Sequence, residues 1–195
     1  MLKIIKNIFL LSVFFLSVSC DQTSQSKNNS DNIATVKVFS SLTCPHCADF
    51  HKKIYEELEK EYISVGKVNF EHHSFPLDVA ALNAEKILQC NSNSQVNFKF
   101  LTEIYKRQNK WAAASDIDII NNSIKAIGKE FSLTENEMNK CLKDKALEEK
   151  ILNERIEAQK NYKISSTPTV YINEKKYGGS RDYKSFKKEI DKILK

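Results

Sequence analysis

The chain has 195 residues, of which 41% are hydrophobic and 28% are charged, and its net charge is +5 at pH 7. This length suits one main folded unit that buries about two-thirds of its unfolded surface. The small positive excess is spread among mixed lysines and glutamates rather than gathered in one block, so the composition gives no case for nucleic acid binding.

The N-terminal segment is typical of an export signal. Two lysines precede an uncharged run from 8 to 18, which is too short to span a bilayer comfortably. Small residues then suit a signal-peptidase site directly before Cys20. Residues 1–19 are therefore predicted to be a signal peptide, and the protein to be exported.

The processing site allows two outcomes for Cys20. The stretch LSVSC also resembles a lipobox, whose cysteine becomes the lipidated N-terminus of a bacterial lipoprotein, although Ser17 replaces the usual aliphatic residue. Cys20 is thus either lipidated or close to the start of a soluble exported protein. Residues 20–33 are almost entirely polar, which predicts a flexible tether.

Two strands and a helix are predicted around the first cysteine pair. Residues 35–41 alternate valines with polar or aromatic residues, as a short buried strand does. From Pro45 to Tyr62 apolar residues recur every four positions, which predicts a helix with proline in its first turn. A second strand is predicted over 67–75, closed by Pro76. The sequence CPHC therefore lies at a strand-to-helix turn.

A helical block follows the second strand. Apolar residues at spacings of three or four predict three helices, over 77–89, 95–108 and 116–128. Gly128 is expected to end the third of these helices. Thr134 and Glu137 have the spacing of a capping box and begin a further helix, and a long helix through Tyr162 follows it. Four aromatic residues of this block are expected to pack in its core, with a peptide-binding surface as the alternative: Phe98, Phe100, Tyr105 and Trp111.

The C-terminal part of the chain returns to strands. Residues 167–179, TPTVYINEKKYGG, predict a β-hairpin, and 182–194 predict an amphipathic helix. The element order indicates an α/β domain, over 34–76 and 163–195, interrupted by a helical domain over 77–162.

Cys44 and Cys47 have the spacing and position of a redox-active dithiol. Disulfide exchange needs one sulfur available as a thiolate and a second within reach to release the mixed disulfide. The free N–H groups and the dipole of the helix N-terminus favour the anion on Cys44, while Cys47 lies one turn inside. His46 adds a hydrogen-bond donor or a positive charge beside the thiolate.

Zinc binding and a structural disulfide are the alternatives for this pair. A structural zinc site needs two more ligands at short spacing. The other histidines, His51, His72 and His73, form no such closing pair and are expected at the surface or at strand edges. A disulfide across two residues closes almost no chain and adds little stability. The pair is therefore predicted to be redox-active, and no metal or cofactor is expected.

Cys90 and Cys141 lie in the helical block without acidic or histidine neighbours. An even set of cysteines in an exported chain indicates an oxidising compartment. We expect a structural disulfide between these two, which closes a loop of about 50 residues and contributes about 4 kcal/mol in the chain-entropy model. Two buried free thiols are the alternative.

The motif CPHC, the helical insert and the tail TPTVYINEKKYGG together resemble the DsbA family of bacterial thiol:disulfide oxidoreductases. The resemblance covers about 34–195 and implies a thioredoxin-like fold with an inserted α-helical domain. It also implies a periplasmic location and the oxidation of reduced exported proteins. Reoxidation would come from a DsbB-like quinone-linked membrane protein, and a monomer is expected.

The resemblance also assigns roles to residues. It implies that Cys44 is the nucleophile, Cys47 the resolving thiol and His46 the stabiliser of the thiolate. It places a cis-proline at Pro168, preceded by Thr167. Threonine is not the valine of the best-studied oxidant branch, which leaves open the redox potential and recognition by a DsbB-like partner. A disulfide reductant of the same fold and a soft-metal-binding chaperone that uses CPHC are the competing functions.

Overall fold

A four-stranded mixed sheet lies at the centre of the protein, for which a computed structural model describes residues 33–90 and 97–195. The predicted signal peptide, Cys20 and the tether as far as residue 32 lie outside the described residues. The strands are β1 (Ala34–Ser40), β2 (Val68–Ser74), β3 (Thr169–Ile172) and β4 (Lys175–Lys176). Their order is β2-β1-β3-β4, with β1 parallel to β2 and with β3 antiparallel to both β1 and β4.

Strand β1 is the inner strand to which the site is attached. Its residues are all buried or half-buried, as expected for a strand covered on both faces. Its register with β2 sets Ser40 beside Ser74 and Val38 beside His72. The end of β1 and the end of β2 therefore bring their side chains to the same end of the sheet.

Helix α1 spans residues 45–63 and contains two wide π-helical turns. It is α-helical over Pro45–Phe50 and Glu56–Leu58, and π-helical over His51–Tyr55 and Glu59–Ile63. A strict spacing of four residues would drift around an ordinary helix, but wider turns hold more residues. The π turns thus keep four apolar residues on one buried face: Phe50, Ile54, Leu58 and Tyr62.

Between β2 and β3, the described residues form six helices. They are α2 (Val79–Leu88), α3 (Phe98–Lys106), α4 (Gln108–Trp111), α5 (Ile117–Glu130), α6 (Glu135–Lys143) and α7 (Lys145–Tyr162). The predicted capping box at Thr134 is confirmed, with Glu137 as its second member. After β4, helix α8 (Tyr183–Ile193) completes the chain. No helix in the described ranges is both long enough and apolar enough to cross a membrane.

The prediction that Gly128 ends a helix is wrong. Helix α5 continues to Glu130, and a Cβ atom on Gly128 would lie 2.5 Å from the sulfur of Met138 on α6. The glycine is therefore needed for close packing of two helices rather than for a left-handed cap.

The buried residues form two main clusters, one around the sheet and one within the helical insert. Cys44 and Cys47 belong to the insert cluster, where they pack with Trp111 and Tyr105. Trp111 is 2% exposed and Tyr105 is 5% exposed, which confirms core packing for these two aromatic residues. The cysteine pair therefore lies where the insert covers the end of the sheet.

Candidate active site

The CPHC segment is held at the N-terminus of α1 by its own backbone. Cys44 is the N-cap residue with extended φ and ψ, and Pro45 occupies the first helical position. The Cys47 N–H donates to the Cys44 carbonyl oxygen at 3.0 Å, and the Cys44 N–H donates to the Ser41 carbonyl oxygen at 3.1 Å. Proline removes an N–H that has no partner inside a helix, so it suits this position.

A glutamine from the insert also fixes this turn. The side-chain amide of Gln108 donates to the carbonyl oxygens of Leu42 and Cys44, at 2.7 and 3.0 Å. Gln108 is 8% exposed, so these bonds are shielded from water. Sequence reasoning missed this residue, because nothing in its own neighbourhood indicates a partner more than 60 residues away.

Cys44 is the more acidic of the two thiols. Its pKa falls from 9.0 to about 5, mainly because the Cys47 thiol donates a hydrogen bond to its sulfur. Burial opposes this shift, and the Thr167 side chain and the backbone N–H groups of Cys47 and His46 add to it. Cys44 is therefore a thiolate at pH 7 when the pair is reduced.

Cys47 has the opposite character. Its side chain is 2% exposed, and this burial is the main cause of a pKa far above the usual value of 9.0. Its hydrogen bond to Cys44 and the negative charge of that thiolate raise the pKa further. The buried sulfur therefore keeps its proton while the outer sulfur loses one.

Thr167 and Pro168 face the pair from the start of β3. The peptide bond between them is cis, and the Thr167 carbonyl oxygen lies 3.4 Å from Cys44 Sγ. The Thr167 hydroxyl is buried and has no hydrogen bond of standard geometry within the described residues. It nevertheless lies close enough to lower the pKa of both cysteines. These two residues thus border the sulfur that a substrate would approach.

His46 contributes a backbone donor to the site. Its side chain is exposed, and its backbone N–H is among the groups that lower the pKa of Cys44, after the Cys47 thiol and the Thr167 side chain. This N–H is available because the first turn of a helix leaves its N–H groups unpaired. The side chain can thus be replaced without removing this donor.

The expectation of a surface or strand-edge position is wrong for His51, whereas His72 and His73 lie on β2, an edge strand of the sheet. His51 is 4% exposed, and its Nε2 lies 2.8 Å from the Thr102 hydroxyl. The His72 side chain is 2% exposed, whereas that of His73 is 36% exposed. In the described ranges no group of three or more His, Cys, Asp and Glu side chains could hold a metal ion.

Cys90 and Cys141 are joined by a disulfide, the pairing favoured from the sequence. The bond links the end of α2 to α6 across a sequence separation of 51 residues. Cys44 and Cys47 are both free thiols. The four cysteines of the described residues are thus divided between one structural cross-link and one dithiol.

A groove runs beside the dithiol along the start of β3. Phe50, Pro168, Tyr177 and Arg181 are among the residues that line it. Its lining thus combines apolar and aromatic side chains with polar and cationic ones, among them Ser166 and Lys176.

Comparisons with known proteins agree with this geometry. The thioredoxin family model matches residues 28–192. A Rickettsia bellii protein described as a protein-disulfide oxidoreductase is 26% identical over 163 residues, which cover 84% of this chain and 62% of that protein. Disulfide bond formation protein D of Bacillus subtilis is 26% identical over 172 residues, 85% of this chain and 74% of that protein. The chain spans between about half and three-fifths of the length of the Rickettsia relatives.

A solved structure gives the same result. The crystal structure of Wolbachia pipientis alpha-DsbA1 superposes with a TM-score of 0.74 and 26% identity, and covers 83% of this chain and 86% of that one. The match includes both the sheet and the helices between β2 and β3. The chain therefore belongs to the thioredoxin family, and its fold, with a helical domain inserted between β2 and β3, is that of the DsbA proteins.

Proposed function

We propose that this protein is an exported thiol:disulfide oxidoreductase that introduces disulfide bonds into reduced exported proteins. The observation that carries the proposal is the opposite acidity of the two cysteines of one turn. The pKa of Cys44 is lowered to about 5, and the pKa of Cys47 is raised well above its usual value. Such a pair contains one good leaving group and one sulfur that retains its proton.

The proposed reaction starts from the Cys44–Cys47 disulfide. A substrate thiolate attacks Cys44 Sγ, the bond between the two cysteines breaks, and Cys47 leaves as a thiolate and takes up a proton. A second substrate thiolate then attacks the substrate sulfur of the mixed disulfide and expels Cys44 as a thiolate. Two electrons pass from the substrate dithiol to the protein, the two substrate thiols release their protons, and Cys47 takes up one proton.

The oxidising direction follows from the charge on Cys44. Interactions that stabilise the thiolate exist only in the reduced protein, so they shift the equilibrium toward reduction of the protein and oxidation of the substrate. A disulfide reductant would need a reduced form that is less stable than its disulfide form.

The partners and the location belong to the same proposal. The predicted signal peptide at 1–19 supports export to the periplasm, with a membrane tether if Cys20 is lipidated. Similarity to DsbA proteins supports a DsbB-like quinone-linked membrane protein as the source of reoxidation. The proposed working form is a monomer, and reduced exported proteins are its substrates.

Single-cysteine variants test the reaction. With a reduced, unfolded test protein, oxidised wild type should lose its disulfide while the test protein loses two thiols. Cys44→Ala should transfer nothing, because the accessible nucleophile is gone. Cys47→Ala, offered a test protein activated as a mixed disulfide, should remain trapped through Cys44. Equal residual transfer by both variants would contradict the assignment of roles.

The direction of transfer needs a separate measurement. The equilibrium constant of the mature protein against glutathione should place its disulfide on the oxidising side of the glutathione couple. A replacement of Cys90 and Cys141 by alanine serves as the control, since these cysteines lie in the structural bond. A disulfide more stable than that of glutathione would favour the reductant instead.

A further inference from the structure

A small cavity borders the buried Cys47 thiol. Its volume available to a water centre is about 10 Å³, near the lower limit for one water molecule. Five polar or ionisable residues are among those that line it: Ser40, Cys47, His51, His72 and Tyr105. The interior next to the buried thiol is therefore polar, unlike an ordinary hydrophobic core.

A line of hydrogen bonds leads from this cavity to a buried carboxylate. Ser40 Oγ lies 3.1 Å from His72 Nδ1, and His72 Nε2 lies 2.8 Å from Glu85 Oε1. The second carboxylate oxygen of Glu85 accepts a hydrogen bond from the Ser74 hydroxyl at 2.9 Å. Ser40 is 2% exposed and Glu85 is fully buried. Both carboxylate oxygens are therefore occupied, and the line reaches the cavity at Ser40.

Tyr105 lines the same cavity as Ser40 and Cys47. Its hydroxyl is buried and finds no partner of standard hydrogen-bond geometry among the described residues. Ser40 and Cys47 both lie close enough to affect the pKa of Tyr105, which burial raises well above 10.0. A buried hydroxyl without a partner costs stability, so its retention beside a reacting sulfur points to a role other than packing.

We propose that the His72–Glu85 pair stores the proton of Cys47 and exchanges it through the hydroxyls of Tyr105 and Ser40. The proposal rests on the dithiol exchange proposed above and names further residues for it. His72 and Glu85 touch no reacting atom, so they act through the two hydroxyls.

The proton moves from Cys47 to His72 in one half of the cycle and back to Cys47 in the other half. When Cys47 attacks Cys44 Sγ in the mixed disulfide, the Cys47 proton moves along the hydroxyls to His72 Nδ1. The bond between Cys44 and Cys47 forms, and the thiolate of the other molecule leaves. When a substrate thiolate breaks the Cys44–Cys47 bond, the expelled Cys47 thiolate takes the proton back. No proton needs to cross the core to reach water, because one proton moves back and forth between two buried sites. The Glu85 carboxylate balances the charge of the imidazolium.

Other titratable groups near the pair do not serve as the acceptor. His51 lines the same cavity, but burial and the neighbouring His72 lower its pKa to about 3, so it is a poor base. Glu154 and His73 face the pair from the other side, and burial raises the pKa of Glu154. Neither of these two lines the cavity.

Tyr105→Phe separates this proposal from a purely structural role. The change removes a hydroxyl that has no hydrogen-bond partner, so a structural role predicts unchanged or higher stability and normal kinetics. The relay predicts normal stability but a slow resolving step. Glu85→Gln keeps the shape of the carboxylate and removes its charge. Glu148→Gln is the matched control, because Glu148 pairs with the buried Lys86 elsewhere in the insert.

The experiment follows each reduced protein after mixing with oxidised glutathione, by acid quenching and mass spectrometry. Formation of the Cys44–glutathione disulfide should proceed at the same rate in all variants. Its resolution by Cys47 should slow by about 100-fold in Tyr105→Phe and Glu85→Gln, at the lower end of what proton transfer contributes. The wild-type resolving step should also show a solvent deuterium isotope effect that Tyr105→Phe changes.

The outcomes are distinct. Resolution of the mixed disulfide by Tyr105→Phe at the wild-type rate would overturn the relay, whether or not Glu85→Gln folds. Slow resolution by Glu148→Gln as well would overturn it too, since any buried charge would then matter. If wild type formed no mixed disulfide with glutathione, the proposed dithiol exchange itself would fail.

Discussion

Ionisation of Cys44 should contribute a pH-dependent term to the stability of the reduced protein between about pH 5 and pH 8.5. The thiol has a pKa of 9.0 when unfolded and about 5 when folded. Within this window the unfolded state holds one proton more than the folded state, so stability rises with pH. Cys47 does not contribute, because its folded pKa is raised and its unfolded thiol is still protonated.

The size of the effect follows from the two pKa values. The contribution is about 0.4 kcal/mol at pH 5, about 1.4 kcal/mol at pH 6 and about 2.7 kcal/mol at pH 7. It is complete only above the unfolded pKa and is lost as the pH falls through 5. Cys44 is 7% exposed, so partial screening by solvent makes these upper values.

Urea unfolding of the reduced protein from pH 5 to pH 8.5 measures this contribution. Cys44→Ser is the reference, since serine has the same shape and does not ionise, and its subtraction removes every other titrating group. The difference in the free energy of unfolding should increase with pH. A difference that is flat across the window would show that the folded protein does not stabilise the thiolate, and the reason given for the oxidising direction would fall with it.

Three further predictions concern single features. His46→Ala should raise the pKa of Cys44 by less than one unit, measured by thiolate absorbance against pH, because the backbone N–H donor remains; a rise of about two units would restore a role for the imidazole. Replacing Cys90 and Cys141 by alanine should lower the free energy of unfolding by about 4 kcal/mol in urea, for a loop of 51 residues, and an unchanged value would contradict the cross-link. Thr134→Ala should cost about 1 kcal/mol through loss of the cap, whereas Thr134→Ser should cost almost nothing.

Local signals in the sequence were sufficient to predict the turn that carries the dithiol. A strand pattern, a proline in the first helical turn and a spacing of four residues place CPHC at a helix N-terminus. The capping box at Thr134 and the hairpin after Pro168 are equally local, because neighbours in the chain form them. The strict spacing of four residues between apolar positions in α1 also fits its π turns, because an ordinary helix would favour a mixture of spacings of three and four residues.

The partners of the dithiol could not be predicted in the same way. Gln108, Tyr105 and Glu85 come from the insert, and each meets the turn or its neighbours only because the fold brings distant segments together. A histidine in a strand, such as His72, is predicted at a strand edge. The burial of its side chain cannot be predicted until the helix that covers it is known. The acidity of a thiol depends on such neighbours, so the sequence indicated which cysteine reacts but not what surrounds the other.

The outer edge of the sheet has a consequence for the proposed reaction with unfolded chains. Strand β4 consists of Lys175 and Lys176, both exposed. A long apolar edge would offer free N–H and C=O groups to any extended substrate and could recruit it as an additional strand. Two charged residues are too few for a stable ladder, and their ammonium groups lose hydration if another chain covers them. Under the proposed function, a substrate chain could therefore leave after disulfide exchange instead of pairing with this edge as an additional strand.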